Sequence, residues 1–464
     1  MSAGLWLHAL RVVRGRQAAG RATRPLRRRR FPSGPKGPFR PLAENEPLWR
    51  SAAFASLGAT LPAGSRLASF HASYGEDALE RARDGADAAE TVRAWVAAHP
   101  PADDDAWHPY VASTRAANWI AAATLDPQVA PVADEALRRS LARVAANVEN
   151  DVLGNHVIRN AKALVLGGIA FGDGELERRG RALLARELPE QVLGDGGHYE
   201  RSPAYQRLVL RDLLELRPYA DVEDAVARMT AFAAALTRPD GAPALFNDGG
   251  LDVAPRLDLP RAPDGLTVLE ETGYVVLRRG GLWLAFDCGP PSPGFLPAHA
   301  HADGLSFQLW LDGRPVAIDP GMPSYDAGAE RDFLRGSAAH STVAVGAGQF
   351  EPWGAFRSGP LPEVRLLEAG ERLLVGRVHD RRGVEHVRRI RTAANGVEIE
   401  DEVSGAGGLP VVSTLVLADG AAPAIDAAGD VAEEPRTISE RFSERLPARA
   451  LVQRGGLRWS IVGA

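Results

Sequence analysis

The sequence predicts a two-domain α+β protein, a helical array followed by an antiparallel β-sandwich. Three observations support this. Apolar residues recur at intervals of three and four up to about Phe246, and at intervals of two after about Pro260. Gly, Pro and Asp clusters punctuate both stretches. At 464 residues the chain also exceeds a usual single core.

In the first half, from about Glu44, Trp119, Ala122 and Ala123 keep helical spacing, as do Leu210, Leu213, Leu214 and Leu216. Ser140–Val148 and Glu175–Leu188 are rich in Ala, Arg and Glu, which favour helix. Gly172-Asp173-Gly174, Gly194-Asp195-Gly196-Gly197 and Arg238-Pro239-Asp240-Gly241 separate the segments, as expected of successive antiparallel helices. In the second half, short strands are expected at 274–277, 282–286, 305–311, 342–345, 373–378, 384–390, 397–403 and 411–417. Many short strands without helices between them argue for a sandwich. Residues 254–265 read as the linker, giving domains at 41–255 and 265–464.

Residues 1–40 hold ten Arg and one Lys and no acid, whereas the whole chain has a net charge of −5. The body is therefore acidic, which argues against nucleic acid as the main partner. The basic start, including Arg27-Arg28-Arg29-Arg30, reads as a solvated or disordered arm, with a membrane-surface or polyanion contact as the alternative. Arg11, Arg14 and Arg16 interrupt the first apolar residues too early for a signal peptide, and no transmembrane run is expected. The single Cys288 excludes an internal disulfide.

The densest chemistry lies in His299-Ala300-His301-Ala302-Asp303-Gly304-Leu305-Ser306-Phe307, then Ile318-Asp319-Pro320-Gly321 and Ala339-His340-Ser341-Thr342. His301, Asp319 and His340 give two imidazoles and a carboxylate, a set that suits zinc. A His-x-His pair on a strand would point both rings to one face, so His301 would bind metal while His299 faces a substrate. The plainer alternative is that Asp319 only opens the Asp-Pro-Gly turn and His340 only precedes a strand.

Further motifs fall in order along the chain. They are Trp107-His108-Pro109-Tyr110 running to Arg115 and Asn118-Trp119, Gly154-Asn155-His156, and Asn160-Ala161-Lys162-Ala163. Asp195-Gly196-Gly197-His198-Tyr199-Glu200-Arg201-Ser202-Pro203-Ala204-Tyr205 and Phe246-Asn247-Asp248-Gly249 follow. With the His299–Asp303 run, this order resembles the heparinase II/III-like polysaccharide lyases over roughly residues 100–360. The resemblance implies an α/α toroid, incomplete in so short a chain, followed by a β-sandwich. It also implies β-elimination on a uronate-containing acidic polysaccharide.

Such a reaction removes the C5 proton and expels O4, so it needs donors at the uronate carboxylate as well as a base and an acid. The resemblance gives the carboxylate to Asn155 and His156, and the proton transfers to Tyr205 and His299. Tyr199 is the competing tyrosine. A phenol with a free pKa of about 10 needs nearby cations to act as a base. The resemblance makes His301, Asp319 and His340 ligands of a largely structural zinc. Arg115, Asn118, Glu200, Tyr325 and Arg335 are expected along the substrate cleft. Trp107 and Trp119 are expected in the core, with sugar stacking as the alternative. Outside the resemblance, Asn155 reads equally as a helix cap and Tyr205 as a buried aromatic. Family members suggest the periplasm or cell envelope, with the cytoplasm as the alternative because no signal peptide is evident. The rival functions are a metal-dependent polysaccharide hydrolase and a non-catalytic polysaccharide-binding or capsule-assembly protein.

Overall fold

In a computed structural model, residues 3–28, 31–43, 61, 65–253, 256–421, 423–454 and 456–463 are described. Arg29, Arg30, most of the start of the expected helical half (44–60), and Ala254 and Pro255 of the expected linker lie outside them. Eleven helices precede the strands among the described residues, followed by antiparallel sheets, as the sequence predicts. The chain divides into two compact units, 13–191 with 208–226, and 1–12 with 192–207 and 227–464.

In the helical unit, chain chemistry sets the helix starts. Asp87 caps Ala88–Ala98 by accepting from Glu90 N at 2.8 Å. Pro109 occupies the first turn of Pro109–Leu125, where no amide hydrogen is needed. Pro109–Leu125 and Asn155–Phe171 are buried on nearly every face, so they form the interior of the unit. Gly168 lets Gly174–Gln191 approach Asn155–Phe171 closely, since a Cβ there would lie 2.5 Å from Glu177 N.

Arg115 and Asn118 belong to this interior rather than to a cleft, which corrects the sequence expectation. The Arg115 guanidinium lies 4.1, 4.9 and 5.7 Å from the rings of Trp95, Trp107 and Trp119. It donates to the carbonyls of Ser73 and Ala106 and to Ser140 Oγ. Asn118 Nδ2 donates to Tyr74 O at 3.0 Å. A cation among tryptophans reads in sequence as a sugar site, but here it is core packing. Trp107 and Trp119 are core residues, as expected.

The basic start is helical, not a solvated arm: Ala3–Arg11 and Gly15–Arg28 are both helices. Arg16 pairs with Glu187 at 2.9 Å and with Glu190 at 2.7 Å, and Arg24 pairs with Asp151 at 3.2 Å. Acidic partners far along the chain, invisible to local composition, hold the second helix.

The other unit contains a nine-stranded sheet. Its spatial order is Gly265–Leu269, Tyr274–Arg279, Leu282–Asp287, Phe307–Leu311, Arg314–Ala317, Val411–Leu417, Leu446–Arg454 and Asp430–Ile438, with Val343–Val345 paired to Val411–Leu417. A six-stranded sheet runs Ala424–Ala427, Arg458–Val462, Gly396–Ser404, Glu385–Thr392, Leu373–His379 and Glu363–Ala369. Phe286, Leu309 and Leu415 of the first sheet share one core with Leu374, Ile390, Ile399 and Trp459 of the second. Arg388 of the second sheet reaches the carbonyls of Leu305 and Ser341, at 2.8 and 2.6 Å, and so braces the segments around the histidines.

The expected strand 305–311 begins two residues late, at Phe307. Leu305 has φ 64°, and Ser306 N bonds to Asp303 O at 2.8 Å, so His299–Ser306 is a looped approach and not a strand.

Arg115→Ala is expected to lower helical-unit stability by about 3 kcal/mol, because it removes a stacked, hydrogen-bonded buried cation. Thermal unfolding followed by circular dichroism would measure this. An unchanged melting midpoint with a raised KM would instead restore Arg115 to the cleft.

Candidate functional site

Asp248 is the hub of the sheet-bearing unit's site. It is fully buried, and Arg331 grips it with two bonds, Nη1 to Oδ1 at 2.8 Å and Nη2 to Oδ2 at 2.7 Å. His299 Nδ1 donates to Oδ2 and His301 Nε2 to Oδ1, each at 3.0 Å. Burial alone would raise the Asp248 pKa. The Arg331 charge and the imidazole bonds overcome it and hold the carboxyl well below its usual range. Asn247 places the hub: with φ 59° it donates to Arg201 O and accepts from His301 N at 2.8 Å.

These bonds fix both histidine tautomers. A carboxylate accepts only, so His299 carries hydrogen on Nδ1 and keeps a lone pair on Nε2. His301 carries hydrogen on Nε2, leaving Nδ1 as a lone pair. Burial lowers the His301 pKa to about 4, although Asp248 opposes the shift, so the ring is neutral near pH 7. The His-x-His rings thus reach one carboxylate from a loop, where the sequence reading had them on a strand.

Tyr205 lies on the first turn of the helix Pro203–Leu216. Ser202 Oγ accepts from Tyr205 N at 3.2 Å and donates to Asp248 O at 2.5 Å. The Tyr205 ring stacks on His299 with centroids 4.0 Å apart, and its hydroxyl hydrogen-bonds to Tyr325 Oη at 3.1 Å. Burial, then the Asp248 charge, raises the Tyr325 pKa well above 10, although the Tyr205 bond opposes this. Tyr325 therefore stays a phenol able to donate to Tyr205. Tyr199 packs instead on His198 and Phe295, with centroids 5.1 and 6.0 Å away.

Next to this pair, His301, Asp303 and His340 offer ligand atoms that all lie within 4.8 Å of one another. His301 Nδ1 and both Asp303 carboxylate oxygens are buried without a hydrogen-bond partner, which a cation would satisfy. Burial, then the Asp303 charge, raises the Asp287 pKa well above its ordinary value, another mark of uncompensated negative charge. The donor set fits a metal ion.

The carboxylate of this group is Asp303, where the sequence reading named Asp319. Asp319 Oδ1 accepts from Gly321 N at 2.9 Å, so the residue does open the Asp-Pro-Gly turn. Its Oδ2 accepts from His340 Nδ1 at 2.8 Å and Leu334 O accepts from His340 Nε2 at 2.9 Å, so His340 would ligate a cation only on losing a proton and one of these two bonds. Burial alone would lower the His340 pKa, but the Asp319 charge and hydrogen bond raise it. Asp319 therefore holds His340 in place and lies outside the cation group.

Arg335 is likewise corrected. It is fully buried, and its guanidinium donates to the carbonyls of Ala300, Gly354 and Pro297, so it braces the histidine loop from beneath. Glu200 is buried, with Oε2 at 3.6 Å from His198 Nδ1. Asp248 and Arg331 are the residues of this cluster that the sequence reading missed. Phe246-Asn247-Asp248-Gly249 was the available signal, and nothing local pointed to Arg331.

Asn155 and His156 lie in the helical unit, in the first turn of Asn155–Phe171. Gly154 is the helix cap there, so Asn155 is not. Leu153 and Gly154, at φ 72° and 61°, turn the chain sharply into this helix end. His156 Nδ1 bonds to Glu149 Oε1 at 2.9 Å, and its ring lies 4.4 Å from that of Tyr110. Asn160 also donates to Glu149, at 2.9 Å. Burial would raise the Glu149 pKa, but His156, His108 and Asn160 lower it to about 2.

Residues 69–248 match the family described as Heparinase II/III N-terminus, and residues 261–453 match Heparinase II/III-like, C-terminal. FtsZ-localized protein C of Caulobacter vibrioides is 31% identical over 305 residues, 59% of this chain and 50% of that protein. The chain thus spans about half the length of that curated relative. Heparinase III superposes with TM-score 0.68 at 16% identity, over 97% of this chain and 90% of the other. A mutant heparan sulfate lyase of Pedobacter heparinus gives TM-score 0.62 at 16% identity, over 96% and 88%. At such identities these likenesses establish the fold.

Two outcomes are expected. Asp248→Asn, which weakens the acceptor orienting His301, should lower metal affinity by about 10- to 100-fold, read by metal content after dialysis against a graded chelator. Unchanged metal content would remove Asp248 from that role. Because the folded Glu149 pKa lies below its ordinary 4.5, its stabilisation is full above about pH 4.5 and is lost as pH falls toward about 2. His156→Ala should flatten that part of the acid-unfolding curve.

Proposed function

The chain belongs to the heparinase II/III-like family, and we propose that it cleaves a uronate-containing acidic polysaccharide by β-elimination. The observation that carries this reading is the Tyr205–His299 stack, held by Ser202 and Asp248 with a lone pair on His299 Nε2. One of the two groups takes the C5 proton and the other gives a proton to O4. The C5–H electron pair becomes the C4–C5 double bond as the C4–O4 bond breaks, and no water enters. Arg331 favours negative charge on Tyr205, and the Tyr325 hydroxyl, which accepts from Tyr205 at rest, turns to donate as that charge forms. Neutralising the uronate carboxylate is the role proposed for Asn155 and His156.

His301, Asp303 and His340 are proposed to hold zinc, a choice supported by two imidazoles and one carboxylate. Bound there, the ion would neutralise Asp303 and stiffen the loop carrying His299. The protein is proposed to act in the periplasm or cell envelope, with the cytoplasm as the alternative.

A second reading is a protein that binds polysaccharide without turning it over. One observation favours it: the curated relative is named for localisation with FtsZ and not for a lyase activity.

The test is ultraviolet absorbance during incubation with glycosaminoglycans, alginate and bacterial capsular polysaccharides. The unsaturated uronate absorbs, so wild type is expected to give a rising signal on at least one substrate. Tyr205→Phe should cut that rate by about a thousandfold with its circular dichroism unchanged. Full activity in Tyr205→Phe would exclude the residue from the chemistry. Binding across the panel without any absorbance would favour the second reading.

A further inference from the structure

The basic start of the chain plays no part in the chemistry above, yet its first helix is built to meet something. Ala3–Arg11 buries Leu5 and exposes Trp6, Leu7 and Leu10, which are 43, 53 and 69% accessible. At 100° per residue, these three side chains fall within about 100° of arc, one continuous apolar face. The face is anchored: Trp6 packs edge-on against Trp353 at 5.2 Å, and the Arg357 guanidinium lies 4.7 Å from one ring and 4.8 Å from the other.

The surroundings are cationic. Arg11, Arg357 and Arg381 are exposed, and the charges of Arg381 and Arg11 both act on His8. The helix holds no acidic residue, nor does any position up to 40. An acidic protein or soluble polysaccharide would use the arginines but leave Trp6, Leu7 and Leu10 wet. A surface with anionic headgroups above hydrocarbon uses both. No described helix is long and apolar enough to cross a membrane, whereas a short helix with one apolar face and basic flanks suits the plane of an interface.

We propose that Ala3–Arg11 docks the protein on an anionic lipid surface, with Trp6, Leu7 and Leu10 entering the headgroup boundary and Arg11, Arg357 and Arg381 contacting lipid phosphates. The side chains involved lie outside the candidate site, so the inference stands apart from the lyase reading.

The test is cosedimentation of the full chain with vesicles of phosphatidylethanolamine and phosphatidylglycerol, against vesicles of phosphatidylcholine alone. Binding to the anionic vesicles is expected, weakened by high salt and by about tenfold in Leu7→Glu/Leu10→Glu. Circular dichroism would confirm that the variant is folded. Three results would overturn the proposal: no binding to the anionic vesicles, equal binding to both vesicle types, or equal binding by wild type and variant. Retention on immobilised heparin without vesicle binding would assign the patch to a soluble polyanion instead.

Discussion

The site depends on one buried carboxylate. Asp248 has no exposure to water, and its charge is held by the Arg331 fork and two imidazole N–H groups. Removing one partner from such a cluster typically costs about 3–5 kcal/mol, because the remaining charge is stranded. The same carboxylate sets two tautomers at once. It leaves His299 with a lone pair on Nε2 and His301 with one on Nδ1, so the proposed proton-transfer and cation-binding atoms share a single support. A change at the cation group therefore reaches His299 through Asp248, with no need for a reacting metal.

Around this hub the structure invests in bracing. Arg335 holds the loop through three carbonyls, Ser337 Oγ donates to Ala302 O, and Gln349 bonds both the N–H and the carbonyl of Gly304. Arg388 adds a bond to Leu305 O from the second sheet. An irregular loop needs this because no strand ladder satisfies its backbone. Rigid support of this kind keeps the stacked Tyr205 and His299 rings in place, as the proposed proton transfers require.

How much was legible in the sequence follows from what is local. The switch from helical to alternating periodicity was legible, because it is written within a few residues; Val411–Leu417 appears at its expected bounds. Asp430–Ile438 was not, since it is an edge strand with Glu433, Glu434 and Pro435 and no alternating apolar face. Tyr205 and His299 were singled out through ordered motifs far apart in the chain, and the structure stacks their rings. Asp303 lost to Asp319 in the reading because residue type could not show that the Asp319 oxygens were already engaged. Arg115, Asn118 and Arg335 misled for the opposite reason, as polar residues near aromatics or histidines look alike in a cleft and in a core. Arg331 required tertiary geometry, since 83 residues separate it from Asp248.

The central claim is that bond cleavage proceeds by elimination, from a tyrosine and a histidine oriented by Asp248. The most direct measurement is mass spectrometry of oligosaccharides released from a cleaved uronate polysaccharide in heavy-oxygen water. Elimination predicts fragments lighter than the hydrolysis products by one water, with no heavy oxygen incorporated during cleavage. Saturated fragments carrying heavy oxygen would contradict the account and assign the site to hydrolysis.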